Sequence, residues 1–316
     1  MGSNEPVRLP AEQQVMHATV VTAFTSNYEL GHLTSPANRA YAERHGYAFH
    51  CRIRPPFNWH APGSRHPSWD KVAILLDLLD DALDRPLANS PTHILWVDAD
   101  AVIVRQEVSL DDLWQGLPVS CELLIGEDIA PVCHVNAGVF VVRVSEWSRK
   151  LWREVWDADA GARFHTRLYW EQSVLQLVLR QQGEGLERVK PFHSYAGGPP
   201  GVKMFPHVCV LPRQLFNTNR GELYEAGEFG KQQRCGFVFH AAGHPTMTVG
   251  PGTTWRPSKK QAICAMLIAN DLGAFSIDNV VDIRSICRKP RGPPRLQRPT
   301  ESMRRHGCRY PGRIAN

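Results

Sequence analysis

His93-Ile94-Leu95-Trp96-Val97-Asp98-Ala99-Asp100-Ala101-Val102-Ile103-Val104 is an apolar run broken once, by two carboxylates one small residue apart. Residues 93–97 read as a short buried strand. In α/β proteins the carboxyl end of a strand is where ligands sit. Asp98 and Asp100 there would form a hard oxygen site suited to Mg²⁺ or Mn²⁺, and such an ion can hold a diphosphate. A polar turn between two strands is the plainer alternative for so short a motif.

Upstream, residues 18–24 are β-branched and apolar and read as a first strand. Ser35-Pro36 offers an N-cap followed by proline at the first helical position, residues 37–45 are helical in composition, and Gly46 stands where a helix would stop. Residues 47–53 form a plausible second strand, and this strand–helix–strand opening is the start of a doubly wound sheet. A loop over 54–67 follows. Ser68 is placed to cap a helix from Trp69 to about Leu83, with Val72, Leu75, Leu76, Leu79 and Leu83 at helical spacing. Lys71 falls in its first turn, against the helix dipole, so it is either solvated or reaching for a phosphate.

Downstream, residues 111–117 suggest a short polar helix or turn, 121–125 a strand, and Gly126-Glu127-Asp128 an acidic turn. Gly138, opening the β-branched run that ends at Val142, implies a close backbone approach, and Asn136 beside it suits a sugar hydroxyl or a turn. Ser145 caps an amphipathic helix whose Trp147, Leu151, Trp152, Val155 and Trp156 share one apolar face. Trp170 to Gln182 reads as another helix, ended by Gly183, with Glu171 and Gln172 in a first turn that favours a carboxylate. Residues 191–212, rich in glycine, proline and aromatics, read as an irregular lid or binding wall. Residues 237–239 make a last strand running into His240, a candidate metal ligand, and 256–272 a terminal helix.

The chain has 316 residues, 43% of them hydrophobic, enough for a large α/β core. No apolar run approaches the ~18–20 residues of a membrane-spanning helix, and residues 1–14 lack the apolar segment of a signal peptide. As written the chain reads as soluble and cytoplasmic. Its eight cysteines show no Cys-x-x-Cys spacing, which argues against a zinc ribbon and for mostly buried thiols, with a few disulfides left open. Residues 288–316 hold nine Arg/Lys against Glu301 alone, a net of +8, so the preceding 287 residues carry −3 of the formal +5. That composition reads as a basic, disordered tail on a mildly acidic body, with no basic stripe for nucleic acid. The organisation expected is a flexible stretch over 1–15, one domain over 16–287, and the tail.

Several short motifs recur in a fixed order. They are Asn27-Tyr28-Glu29, Asn38 with residues 41–47, Ser68-Trp69-Asp70-Lys71, and residues 96–101. Asn136-Ala137-Gly138-Val139-Phe140, residues 145–148, Glu171-Gln172-Ser173, Phe216-Asn217 and His240-Ala241-Ala242-Gly243 follow. In these the chain resembles glycosyltransferase family 34, which includes yeast α-1,2-galactosyltransferases, α-1,6-mannosyltransferase subunits and plant xylosyltransferases. The resemblance implies a GT-A fold, an α/β three-layer sandwich with a mixed, mostly parallel central sheet. It implies retaining transfer of a hexose from a nucleotide-diphosphate sugar to a glycan or glycoprotein hydroxyl. UDP-galactose is the first choice of donor and GDP-mannose the second.

By that pattern Asp98, Asp100 and His240 hold Mn²⁺ or Mg²⁺. Thr22, Lys71, Asp98, Asn136, Gly138 and Gly243 line the nucleotide-sugar, and Glu171 and Gln172 face the reacting carbon. Two departures stand out. Trp170 replaces the first acid of the plant pattern, and His244-Pro245 stands where a lysine is usual. Most family members are anchored in the Golgi, so a trimmed form would work in that lumen. The oligomeric state is open, homo- or hetero-oligomers included. Two other classes compete. A haloacid-dehalogenase-type phosphatase would need Asp98 on its first strand, whereas other strands precede it here. A non-catalytic subunit that binds nucleotide-sugar or glycan would explain Trp170 and Pro245.

Overall fold

The computed structural model describes residues 16–86, 90–128, 133–185, 202–223, 236–243, 245–249, 254–256, 258–270 and 272. The expected flexible stretch and basic tail lie outside them. The first half runs β1 (Ala18–Thr25), α1 (Glu29–Arg44), β2 (Ala48–Arg54), a 3₁₀ turn (Pro67–Trp69), α2 (Asp70–Asp84), β3 (His93–Val97), β4 (Ala101–Ile103), α3 (Leu110–Trp114), β5 (Leu123–Glu127) and β6 (Val135–Arg143). The second runs α4 (Glu146–Asp157), α5 (Trp170–Gln181), β7 (Lys203–Met204), β8 (Val208–Leu211), α6 (Arg213–Phe216), β9 (Arg220–Leu223), β10 (Val238–His240), β11 (Thr246–Val249), β12 (Thr254–Trp255) and α7 (Lys259–Ala269).

Seven strands form the central sheet in the order β2-β1-β3-β6-β5-β8-β7. β2, β1, β3, β5 and β8 run one way, and β6 and β7 run against them. Successive side chains along a strand point to opposite faces, and both faces are covered. Ile94, Trp96, Leu123, Ile125, Phe140 and Val210 pack with Leu75, Leu79, Trp152 and Leu175 of α2, α4 and α5. Leu95, Val97, Leu124, Val139 and Leu211 pack on the other face with Tyr41 and Ala42 of α1, Leu110 of α3, and β4. This is the mixed, mostly parallel α/β sandwich expected from the sequence. No described helix is long and apolar enough to cross a membrane.

Several local expectations need correction. α1 begins at Glu29 and runs through Pro36. Leu30 and Leu33 ahead of the proline are buried against Phe239 and α7, and a side chain on Gly31 would collide with the Phe24 ring. Packing of that first half outweighs the ~3 kcal/mol a mid-helix proline costs. Gly46 ends the helix as read, with φ +69°. Ser68 does not cap α2; a 3₁₀ turn precedes the helix, and the His66 ring accepts the Ser68 N–H. Gly126 and Glu127 belong to β5 and are no turn. Within the stretch read as irregular lie β7 and β8, the latter fully buried beside β5. Its four apolar residues stand between Pro206 and Pro212, which obscured them. Cys51, Cys121 and Cys209 are free thiols, whereas Cys133 and Cys264 are disulfide-bonded.

β4 is paired with β10 on one side. On its other side the fully buried Asn38 of α1 donates to Ala101 O (3.1 Å) and accepts from the Ile103 N–H (2.9 Å). One side chain thus does the work of a neighbouring strand. Asn38→Ala leaves a buried N–H and a buried C=O unpartnered and is expected to lower unfolding free energy in urea by about 2–4 kcal/mol. A loss below ~1 kcal/mol would show that water takes over both bonds.

Candidate metal and nucleotide-sugar site

The site forms where β3 ends and β6 begins. β6 runs antiparallel to β3, with Val97 opposite Val139, so the first residues of β6 lie beside the carboxyl end of β3. Asp98 follows that end and donates its N–H to Gly138 O (2.7 Å). The ladder between β5 and β6 slips here: Ile125 pairs with Phe140, but Gly126 pairs with Asn136. The slip leaves residues 137–139 outside the β5 pairing, and the backbone groups of Ala137 and Gly138 are held by residues of the site. Bulges of this kind re-aim side chains and recur beside active sites.

Ala137 O accepts from the Lys71 ammonium (2.5 Å), and the Ala137 N–H is held by Gln172 Oε1 (2.9 Å). The Gly138 N–H is held by Asn136 Oδ1 (2.8 Å). Asn136 Nδ2 and Gln172 Nε2 both donate to the buried Asp128 carboxylate (3.0 and 2.8 Å). A Cβ on Gly138 would collide with the His240 ring and with Asn136 Oδ1. Gly138 therefore marks a close approach, as its place in a strand suggested, and what approaches is an imidazole.

Lys71, in the first turn of α2, is 2% exposed. Its ammonium meets Ala137 O, Glu171 Oε1 (2.8 Å) and Asp98 Oδ1 (3.1 Å). Three acceptors use all three of its N–H donors, so in this conformation it offers none to a phosphate. Burial opposes the ammonium, but Asp98 and Glu171 outweigh it and push the Lys71 pKa above the ordinary lysine value. The Glu171 carboxyl is raised, first by burial and then by the Asp98 charge, with Lys71 opposing. Glu171 Oε2 is buried without a hydrogen-bond partner among the described residues. Just ahead of it, Tyr169 (φ +68°) and Trp170 (φ +28°) occupy left-handed backbone, a strain of about 1–3 kcal/mol each for such residues. The Trp170 ring stacks on His66 at 3.7 Å and 6°. Trp170 thus clamps the start of α5.

His240 arrives through a different pairing. β10 runs antiparallel to β4 with His240 opposite Ala101, which places the imidazole beside Asp100. Asn217 Oδ1 lies 2.5 Å from His240 Nδ1, and Asp100 Oδ1 lies 3.2 Å from Nε2. If Nδ1–H donates to the amide oxygen, as that contact favours, Nε2 is the nitrogen available to a metal. The other Asp100 oxygen meets the Lys259 ammonium at 2.6 Å. Burial would raise the Asp100 carboxyl, but His240 and Lys259 hold it far below the usual carboxylate range. Asp98, Asp100 and His240 each offer a ligand atom, all within 4.8 Å of one another. Two hard oxygens and one imidazole suit Mn²⁺ or Mg²⁺.

Of the residues singled out from sequence, Asp98, Asp100, His240, Lys71, Asn136, Gly138, Glu171 and Gln172 share this network. Thr22 is buried in β1, its hydroxyl without a hydrogen-bond partner among the described residues. Gly243 follows β10 with φ +62°, a backbone that favours glycine, and nothing lies within 4 Å of where its Cβ would be. Neither joins the network through a described contact. Three participants went unread: Asp128, Asn217 as a partner of the imidazole, and Lys259. Asp128 carried the same signal as Asp98, a carboxylate directly after a buried strand.

No family model matches the sequence, and no curated protein does. Among solved structures the chain is similar to several glycosyltransferases. One is involved in the glycosylation of the major capsid of PBCV-1; at 14% identity the match covers 80% of this chain and 99% of that one, with a TM-score of 0.48. Another is the apo bifunctional enzyme WbbM, at 11% identity, 88% and 52% coverage, and a TM-score of 0.44. A third is a variant of Drosophila β-1,4-galactosyltransferase 7 in complex with manganese, UDP-Gal and xylobiose, at 15% identity, 53% and 62% coverage, and a TM-score of 0.33.

Removing Lys71 leaves two buried or half-buried carboxylates facing each other without a counter-charge. Lys71→Met is expected to cost ~3–5 kcal/mol of unfolding free energy. Combining it with Glu171→Gln should restore much of that, because the uncompensated charge goes too. Urea titration of both singles and the double decides it; simple additivity would dissolve the triad as a unit.

Proposed function

We propose that this protein is a metal-dependent glycosyltransferase that moves a sugar from a nucleotide-diphosphate donor to a hydroxyl acceptor. The observation that carries the proposal is the meeting of Asp98, Asp100 and His240, from two separately paired strands, at the carboxyl end of β3. A divalent ion held by these three would neutralise the diphosphate as the glycosidic bond breaks. The nine ordered motifs support family 34 and, with it, retention of configuration and a hexose donor, UDP-galactose ahead of GDP-mannose. A glycan or glycoprotein is the acceptor class that goes with this reading.

The chain's own residues divide the remaining work. Lys71 fixes Asp98 and Glu171 relative to each other and acts as a positioning residue. Glu171 keeps a carboxylate behind the site, where it supports an oxocarbenium-like centre electrostatically. Gln172 and Asn136 hold the backbone of Ala137 and Gly138 in place, and the bare Gly138 leaves room for the His240 imidazole beside the donor. The disulfide-bonded Cys133 and Cys264 favour an oxidising compartment over the cytoplasm, in keeping with the lumenal setting of the family.

Calorimetric titration with UDP and with GDP, each in Mn²⁺ and then in EDTA, tests this reading. One nucleotide should bind in the micromolar range and lose that binding in EDTA or in Asp100→Ala. Glu171→Gln should keep the binding and lower transfer by roughly a hundredfold or more. A folded protein that binds neither nucleotide under any of these conditions would sink the proposal.

A further inference from the structure

The two lysines at the site are held differently. Lys71 is enclosed, with all three donors used. The Lys259 side chain is 39% exposed and meets the site through one ion pair, at Asp100 Oδ2. It stands at the first position of α7, followed by Lys260, with no acid in that turn. Two cations at the amino end of a helix oppose its dipole. Each is offset by a carboxylate from elsewhere, Lys259 by Asp100 and Lys260 by Glu29 (2.7 Å). The placement is built in: Ala262, Ile263, Met266 and Leu267 of α7 pack with Leu30, Leu33 and Phe239, which sets the helix against α1 and β10.

Lys259 and a divalent ion would therefore draw on the same carboxylate. His240 takes one oxygen of Asp100 and Lys259 the other. A four-carbon, partly solvated side chain can withdraw at small cost, whereas Lys71 cannot. Resting on the metal-site reading above, we propose that Lys259 is an exchangeable resident cation. It holds Asp100 until a divalent ion arrives, then turns to the diphosphate of the donor. Metal and nucleotide loading are coupled as a result. The ion alone must displace an ammonium, and a nucleoside diphosphate gives that ammonium somewhere to go.

The experiment is calorimetry on the full chain with Mn²⁺ alone, then with Mn²⁺ plus UDP or GDP. Wild type, Lys259→Met, Lys259→Gln, Lys260→Met and Asp100→Ala are compared after thermal melts confirm folding. If Lys259 engages Asp100 nine-tenths of the time, removing it should tighten binding of Mn²⁺ alone by about tenfold. The enhancement of Mn²⁺ binding by nucleotide should shrink by a similar factor, since the coupling is reciprocal. Lys260→Met removes the same charge from the same turn and should leave both quantities near wild type. Unchanged or weaker Mn²⁺ binding in both Lys259 variants overturns the exchange, as does an equal gain in Lys260→Met, which would reduce it to net charge. Those outcomes leave the metal site standing so long as Asp100→Ala abolishes Mn²⁺ binding. If wild type shows no Mn²⁺ binding that Asp100→Ala removes, the metal-site reading falls and the exchange falls with it.

Discussion

A backbone group taken from a ladder must be satisfied elsewhere, and the slip between β5 and β6 shows what that requirement can build. At Ala137 the displaced carbonyl and N–H are met by Lys71 and Gln172, while on the other edge of β6 Gly138 is held by Asn136 and Asp98. A straight ladder would consume the Ala137 groups and leave Lys71 buried without a carbonyl. It would also leave Gln172 and Asn136 with no reason to converge on Asp128. The irregularity in the strand is therefore the frame of the site, and Gly138 is the residue that lets the imidazole close over it.

Charge is arranged in the same economical way. Asp98 and Glu171 share one enclosed ammonium, and Asp100 is flanked by an imidazole and a solvated lysine. Burying a carboxylate without such partners is prohibitive. The two halves differ in reversibility, because one counter-cation is sealed beneath α2 and the other stands at the rim. The strained turn at Tyr169 and Trp170 belongs with the sealed half. It delivers Glu171 to Lys71 and is braced by the stack on His66.

The layers of the fold were legible where periodicity was clean. β3, α2, α4 and α5 lie close to where their apolar spacing put them, because each buries a continuous stripe against the sheet. β8 was hidden by short length and flanking prolines, and the early start of α1 by Pro36, whose local cost is overcome by contacts with distant α7. In the site, the residues that could be read were those in compact motifs beside strand ends. Lys259 could not be read that way. Nothing near it in the chain hints at Asp100, and only the packing of α7 on α1 brings the two together. Asp128 was legible in principle, but its strand was ended two residues too early, which turned a buried carboxylate into a turn residue.

Asp100 meets partners 140 and 159 residues further along the chain. Such distant contacts close large loops and form slowly compared with local ones. During synthesis β3 and its carboxylates emerge well before β10 and α7 exist, so Asp100 must wait for 140 further residues before His240 is made and 159 before Lys259. The site is consequently among the last parts of the molecule to assemble, and its completeness records that the rest of the chain has already found its place.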